Sequence, residues 1–120
     1  MPADTNPSGD IFGGWLMSQM DLAASSVATR AARGRVATVA VDAMSLIAPV
    51  HVGDEVSLYA ALVKTGRTSL TIHVQAWRRD RFSEEATRVT EATFTFVAID
   101  EDRRPRPLPH GMGDGLPPQR

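Results

Sequence analysis

A chain of 120 residues has room for one hydrophobic core, so a single domain is expected. Its formal net charge of −1, with 42% hydrophobic and 22% charged residues, gives no electrostatic reason to bind nucleic acid or an anionic membrane. Cysteine is absent, which excludes disulfides, thiolate nucleophiles and cysteine metal sites.

The opening MPADTNPSGD has neither the basic region nor the apolar run of a signal peptide. No apolar run approaches the ~20 residues that span a bilayer, so a cytoplasmic protein without membrane insertion is expected. Asn6 and Ser8 read as turn residues, and Asp10 as a cap or turn former ahead of a helix. From Gly14 to Arg33 there is no proline, and Arg30 and Arg33 place positive charge at the end, before a stop at Gly34. Such a helix would be roughly 28 Å long. Its apolar residues wrap most of the way round, from Leu16 and Met17 to Val27 and Ala28, so it is expected to be largely buried.

After Gly34 the period changes. RVATVAVDAMSLIA is rich in β-branched residues and reads as a strand ending before Pro49. HVGDE is a turn, EVSLYAALVKT a second strand, TGRTS a tight connection and SLTIHVQAWRR a third strand. The third alternates, with Leu70, Ile72, Val74 and Ala76 on one face and Thr71, His73, Gln75 and Trp77 on the other. RDRFSEEA is a charged loop and TRVTEATFTFVAID a fourth strand. Residues 101–120 turn to Pro, Gly and Arg and are expected to form a loose tail behind a domain of residues 1–100. A long apolar helix and four long antiparallel strands make an α+β plan, buried most economically by curling the sheet around the helix. Long edge strands invite pairing with a second copy, so a homodimer is expected.

Four segments, PADTNPSGDIFGGWLMSQMDLAA, GRVATVAVDAMSLIAPVHVGDEV, KTGRTSLTIHVQAW and TEATFTFVAID, occur in order over nearly all of residues 2–100. Together they resemble the YciA-type acyl-coenzyme A thioesterases of the hotdog-fold superfamily. The resemblance implies a long central helix wrapped by a curved antiparallel sheet. It also implies dimers with active sites at the subunit interface, often grouped as trimers of dimers. The implied reaction is hydrolysis of acyl-CoA to free acid and coenzyme A, without metal or cofactor. The family's catalytic acid falls in the segment SQMD, hence on Asp21, and the acid of GDIFGG, Asp10, is implied to lie near the thioester, facing Asp21 of the other subunit. The TGRTS turn maps to a coenzyme A contact, with Lys64, Gly66, Arg67, Thr68 and Ser69 as its polar or bare positions. Relatives carry a first strand ahead of the MPADTN segment, and this sequence opens on that segment, so one sheet edge is expected to be short of a strand.

Thioester chemistry suits these residue types. A carboxylate such as Asp21 activates water or attacks the carbonyl itself, and the sequence leaves both routes open. Its neighbours at three and four residues, Met17, Ser18, Ala24 and Ser25, are small or apolar. Taken by itself, an acid on a helix is more often solvent-facing than catalytic. Gly13 and Gly14, placed at the opening of the helix, would let a ligand approach main-chain N–H groups that have no internal acceptor. Lys64 and Arg67 would hold phosphate groups, and Thr38 on the first strand is a further candidate for the substrate site. Three other readings compete, one of them a scaffold that merely oligomerises. A non-enzymatic acyl-CoA-binding module would use the same pocket without turnover. A hydratase would call for a histidine beside the helix, and none occurs before His51.

Overall fold

The structure, a computed structural model of the chain, describes residues 9–46, 48, 50–51, 53–80 and 82–109. The turn expected at Asn6 and Ser8, the question of a first strand, and residues 110–120 lie outside the described residues. Helix α1 (Gly9–Ala32) is followed by strands β1 (Val36–Leu46), β2 (Glu55–Thr65), β3 (Ser69–Arg79) and β4 (Ala86–Ala98). The strands form one antiparallel sheet in the order β1-β4-β3-β2, which leaves β1 and β2 at its edges. The helix touches all four strands, so the expected α+β plan holds.

The core lies between helix and sheet. Leu16, Met20, Ala24, Ala28 and Ala32, four residues apart, form one buried row along α1. From the sheet come Leu70, Ile72, Val74 and Ala76 of β3, with Ala92, Phe94, Phe96 and Ala98 of β4. The alternation read in the third strand is therefore the division between core and outer face. Phe94 and Phe96 stack with ring centroids 6.4 Å apart. Helix burial is narrower than expected. Trp15, Met17 and Leu22 point away from the sheet and are 46%, 41% and 61% exposed. One four-stranded sheet covers only one side of a helix, and no other described element covers these three side chains.

The start of α1 also departs from expectation. The helix begins at Gly9, not at Gly14. Asp10 therefore sits in the first turn, where a carboxylate favours the positive end of the helix dipole. Gly13 and Gly14 lie in the second turn, where their N–H groups have helical acceptors at Gly9 and Asp10. The N–H groups without helical acceptors are those before Gly13.

At the other end, Arg33 adopts the left-handed conformation (φ 58°) and the N–H of Gly34 donates to the Thr29 carbonyl at 3.2 Å. Arg33, and not Gly34, takes the left-handed position. A Cβ at Gly34 would stand 2.6 Å from a terminal nitrogen of Arg106. That guanidinium donates to the Ala32 carbonyl at 2.9 Å and to the Ile99 carbonyl at 3.1 Å, so a cation closes the negative end of α1. Residues 101–109, expected as loose tail, are bonded back onto the sheet end. Arg106 N–H reaches the Ala98 carbonyl and Leu108 N–H the Arg67 carbonyl, each at 2.9 Å, and Leu108 packs on the core. Composition hid this because the bonds are made by the main chain and one arginine, neither of which leaves a periodic trace. Arg106→Ala is expected to lower stability by about 1.5–3 kcal/mol, the range for hydrogen bonds involving a charged group. Arg106→Lys should recover little, since an ammonium lacks the planar fork. Urea unfolding at one fixed protein concentration measures both.

Candidate active site

Asp21 lies near the middle of α1, partly buried. It stands on the flank of the helix that faces β1, because the hydroxyl of Thr38 donates to its Oδ1 at 3.2 Å. Thr38 pairs with Phe96 and so shares the face of the sheet that carries the core. Among the described residues the other carboxylate oxygen, Oδ2, has no protein donor. Two residues singled out separately in the sequence, Asp21 and Thr38, are thereby brought into contact, by an edge strand and a helix.

Asp10 and the glycines are not brought to that point within one protomer. Eleven residues of helix separate Asp10 from Asp21, about 16 Å along the axis. Seven separate Gly14 from Asp21, about 10 Å, and seven residues return to the same helix face. A Cβ at Gly14 would meet nothing within 4 Å, so the bare backbone there is open. The side chain of Asp10 lies outside the described part of the structure. One carbonyl group cannot be handled at once by the start of α1 and by Asp21 of the same chain, because reacting groups must approach to about 3 Å.

The β2–β3 turn carries the candidate coenzyme A residues. Gly66 N–H donates to the Ser69 carbonyl at 2.9 Å, and a Cβ on Gly66 would stand 2.6 Å from Ser69 Oγ. The Thr68 carbonyl accepts from Ala98 N–H at 2.8 Å, and the Arg67 carbonyl from Leu108 N–H at 2.9 Å. The turn is thus fixed by its neighbours, while the side chains of Lys64 and Arg67 stay exposed. Thr38, Phe96 and Leu70 lie on one row across the sheet, which places the turn two strands from Thr38, about 10 Å. The latch from Leu108 is the part of this region that sequence reasoning missed. Its only trace is a lone leucine in a Pro/Arg stretch.

The described histidines stand apart from Asp21. His51 N–H and Asp54 N–H are tied within the HVGDE turn, to Asp54 Oδ2 at 2.8 Å and the His51 carbonyl at 3.0 Å. His73 projects from the outer face of the sheet and meets Glu91 at 3.2 Å. The hydratase arrangement, a histidine beside the helix acid, is not formed by them. Among the described residues no group of three His, Asp or Glu side chains could hold a metal, and no helix is long and apolar enough to cross a membrane. A hollow of about 360 Å³ on the outer sheet face, lined by Ser57, Tyr59, Gln75 and Trp77, does not include Asp21 or Thr38.

The family model described as Thioesterase superfamily matches residues 8–82. The acyl-CoA thioester hydrolase YciA of Salmonella typhimurium is 52% identical over 112 residues, covering 91% of this chain and 84% of that protein. Among solved structures, a hexameric broad-specificity acyl-coenzyme A thioesterase is 48% identical with a TM-score of 0.80, covering 95% of this chain and 79% of its own. That enzyme has also been solved as an aspartate-to-alanine mutant. A hexameric hotdog-fold thioesterase of Campylobacter jejuni is 37% identical with a TM-score of 0.79, covering 91% of this chain and 84% of its own.

Proposed function

Because this chain belongs to the YciA-type acyl-CoA thioester hydrolases of the thioesterase superfamily, we propose that it splits acyl-CoA into free acid and coenzyme A with Asp21 as the activating group. The observation that carries this reading is the state of the Asp21 carboxylate. One oxygen is held by Thr38 and the other has no protein donor among the described residues, on a helix flank beside the edge strand β1.

In the water route, a water donates a hydrogen bond to Asp21 Oδ2. Its oxygen attacks the thioester carbon while the proton passes to the carboxylate. The tetrahedral oxyanion faces the free N–H groups at the start of a helix, whose dipole favours negative charge. Its collapse breaks the C–S bond, and the proton returns from Asp21 to the thiolate sulfur. In the direct route, Asp21 attacks the carbon, the thiolate leaves, and water opens the resulting anhydride. A single turnover in ¹⁸O-water separates them. Label goes only to the released acid in the first, and the anhydride route can also leave label in Asp21.

The helix start that serves a given Asp21 belongs, in this reading, to the partner subunit. The roughly 16 Å of helix between Asp10 and Asp21 supports that, as do the exposed Trp15, Met17 and Leu22 on the helix and Val39 on β1, an edge strand among the described residues. Gly13 and Gly14 keep that helix face bare, and Asp10 in the first turn places the water or the thioester. Dimers grouped as hexamers follow the assembly of the hexameric relatives.

Lys64, Gly66, Arg67, Thr68 and Ser69 hold coenzyme A in this reading, the two cations facing phosphate. Arg67→Ala is expected to raise KM for acyl-CoA by about tenfold with little change in kcat, the pattern of lost uniform binding. Thiol release from a panel of acyl-CoA chain lengths tests the activity itself. Tight binding of acyl-CoA with no thiol released at any chain length would favour the non-enzymatic binding module.

A further inference from the structure

The chain that leaves β4 doubles back and ends its described course on the β2–β3 turn. We propose that this strap, residues 104–108, holds the turn where Arg67 meets a coenzyme A phosphate, which makes Leu108 and Arg106 positioning residues for substrate binding. Neither touches the substrate itself. The inference rests on the reading of the turn as a coenzyme A contact and adds the part of the chain that fixes it.

The reversal is built just past the sheet. Asp100 Oδ1 accepts from the N–H groups of Asp102 and Arg104 at 2.8 and 2.9 Å, and Arg103 takes the left-handed conformation (φ 65°). Asp100 N–H donates to the Arg104 carbonyl at 2.8 Å, and Pro105 bridges antiparallel to Ile99. The strap then runs beside the end of β4, where Arg106 N–H donates to the Ala98 carbonyl at 2.9 Å. Ala98 N–H donates to the Thr68 carbonyl at 2.8 Å. Both groups of one strand residue point to the same side, so the strap occupies the flank of β4 that β3 leaves before Ser69. Leu108 N–H closes on the Arg67 carbonyl at 2.9 Å.

Two independent observations give the strap its task. The first is that the turn is tied from outside. Gly66 N–H bonds the Ser69 carbonyl within it, whereas the carbonyls of Arg67 and Thr68 are taken by Leu108 and Ala98. Arg67 thus has its carbonyl fixed inward and its side chain exposed. The second is that the strap has anchors of its own. The Arg106 guanidinium bonds the Ala32 and Ile99 carbonyls, and the Leu108 side chain packs on the core. A strap anchored on the helix end and the core can restrain a hairpin tip, which otherwise belongs to the least stable part of a fold. A cation placed beforehand loses less freedom when its ligand arrives.

Leu108→Pro deletes the N–H that reaches Arg67, and Arg106→Ala releases the anchor on α1. Each is expected to raise KM for acyl-CoA by about three- to tenfold, what one ordinary hydrogen bond is worth, with kcat within about twofold of wild type. KM for the acyl-pantetheine of the same acid, which carries no phosphate, should stay unchanged. A loss of folded protein would instead lower turnover of both thioesters alike. In the Arg67→Ala background, Leu108→Pro should add less than about twofold, because the cation it places is already gone. Amide exchange over residues 66–69 of the assembled protein should quicken in both variants. Arg106→Ala, read alone, decides the matter where Leu108→Pro does not fold. Wild-type KM for acyl-CoA in a folded variant, an equal loss on both thioesters, or unchanged exchange in the turn overturns the inference. Where Arg67→Ala raises KM and the strap variants do not, the inference fails alone. Where Arg67→Ala also keeps the wild-type KM, the coenzyme A reading of the turn fails, and the inference with it.

Discussion

Asp21→Asn leaves acyl-CoA hydrolysis at least about a thousandfold below wild type, with coenzyme A binding and the fold intact; such a loss accompanies removal of a group that acts only in the transition state. Asparagine keeps the size and planarity of aspartate and offers an oxygen to the Thr38 hydroxyl, so the contact between α1 and β1 survives. What disappears is the basic electron pair that accepts the water proton or attacks the carbonyl carbon. Asp21→Ala removes the Thr38 contact as well and should be equally inactive. Because Asp21 stands on the flank of the helix and not in the buried row of Leu16, Met20 and Ala24, neither change opens a cavity in the core. Thiol release at saturating acyl-CoA, with product binding measured on the same preparations, checks both halves. Wild-type turnover in either variant would move the chemistry elsewhere.

Much of the frame could be read from the residues. The limits of β2 and β3 are legible because β3 alternates cleanly and both are bounded by turn chemistry, HVGDE before one and TGRTS between the two. Gly53, at φ 95°, and the Asp54 carboxylate accepting from His51 N–H show why that first turn carries Gly-Asp. The order β1-β4-β3-β2 was not legible, since periodicity says which face of a strand is buried and nothing about its neighbour. The start of α1 was misplaced because paired glycines look like a helix boundary. Each costs a helix only about 1 kcal/mol, which packing outweighs. The breadth of apolar residues on α1 suggested full burial, and the single protomer buries one row.

For the candidate site, residue type and pairing divide differently. Asp21 and Thr38 were each visible as candidates, Asp21 through the family resemblance far more than through its helix neighbours. Their contact was not visible, because it depends on the helix flank meeting an edge strand beside a bulge at Val39. Arg106 was invisible for a similar reason. It reads as one of several arginines in a proline-rich stretch, and only the folded chain puts its guanidinium on the Ala32 carbonyl at the end of α1 and against Gly34. Contacts made once, between elements far apart in sequence, leave no period to detect.

In the proposed mechanism Asp21 works on a thioester held by the helix start of the neighbouring subunit, and mixing two inactive variants tests that sharing. Asp10→Asn and Asp21→Asn proteins, each inactive alone, are unfolded together in equal amounts and refolded. In a two-fold symmetric dimer with shared sites, half the dimers are mixed, and each mixed dimer has one site with both acids intact and one with neither. Shared sites predict a return to about a quarter of wild-type activity, because random pairing of the two chains restores one site in four. If both groups acted within one chain, every site would lack one of them, and the mixture would stay as inactive as its parts.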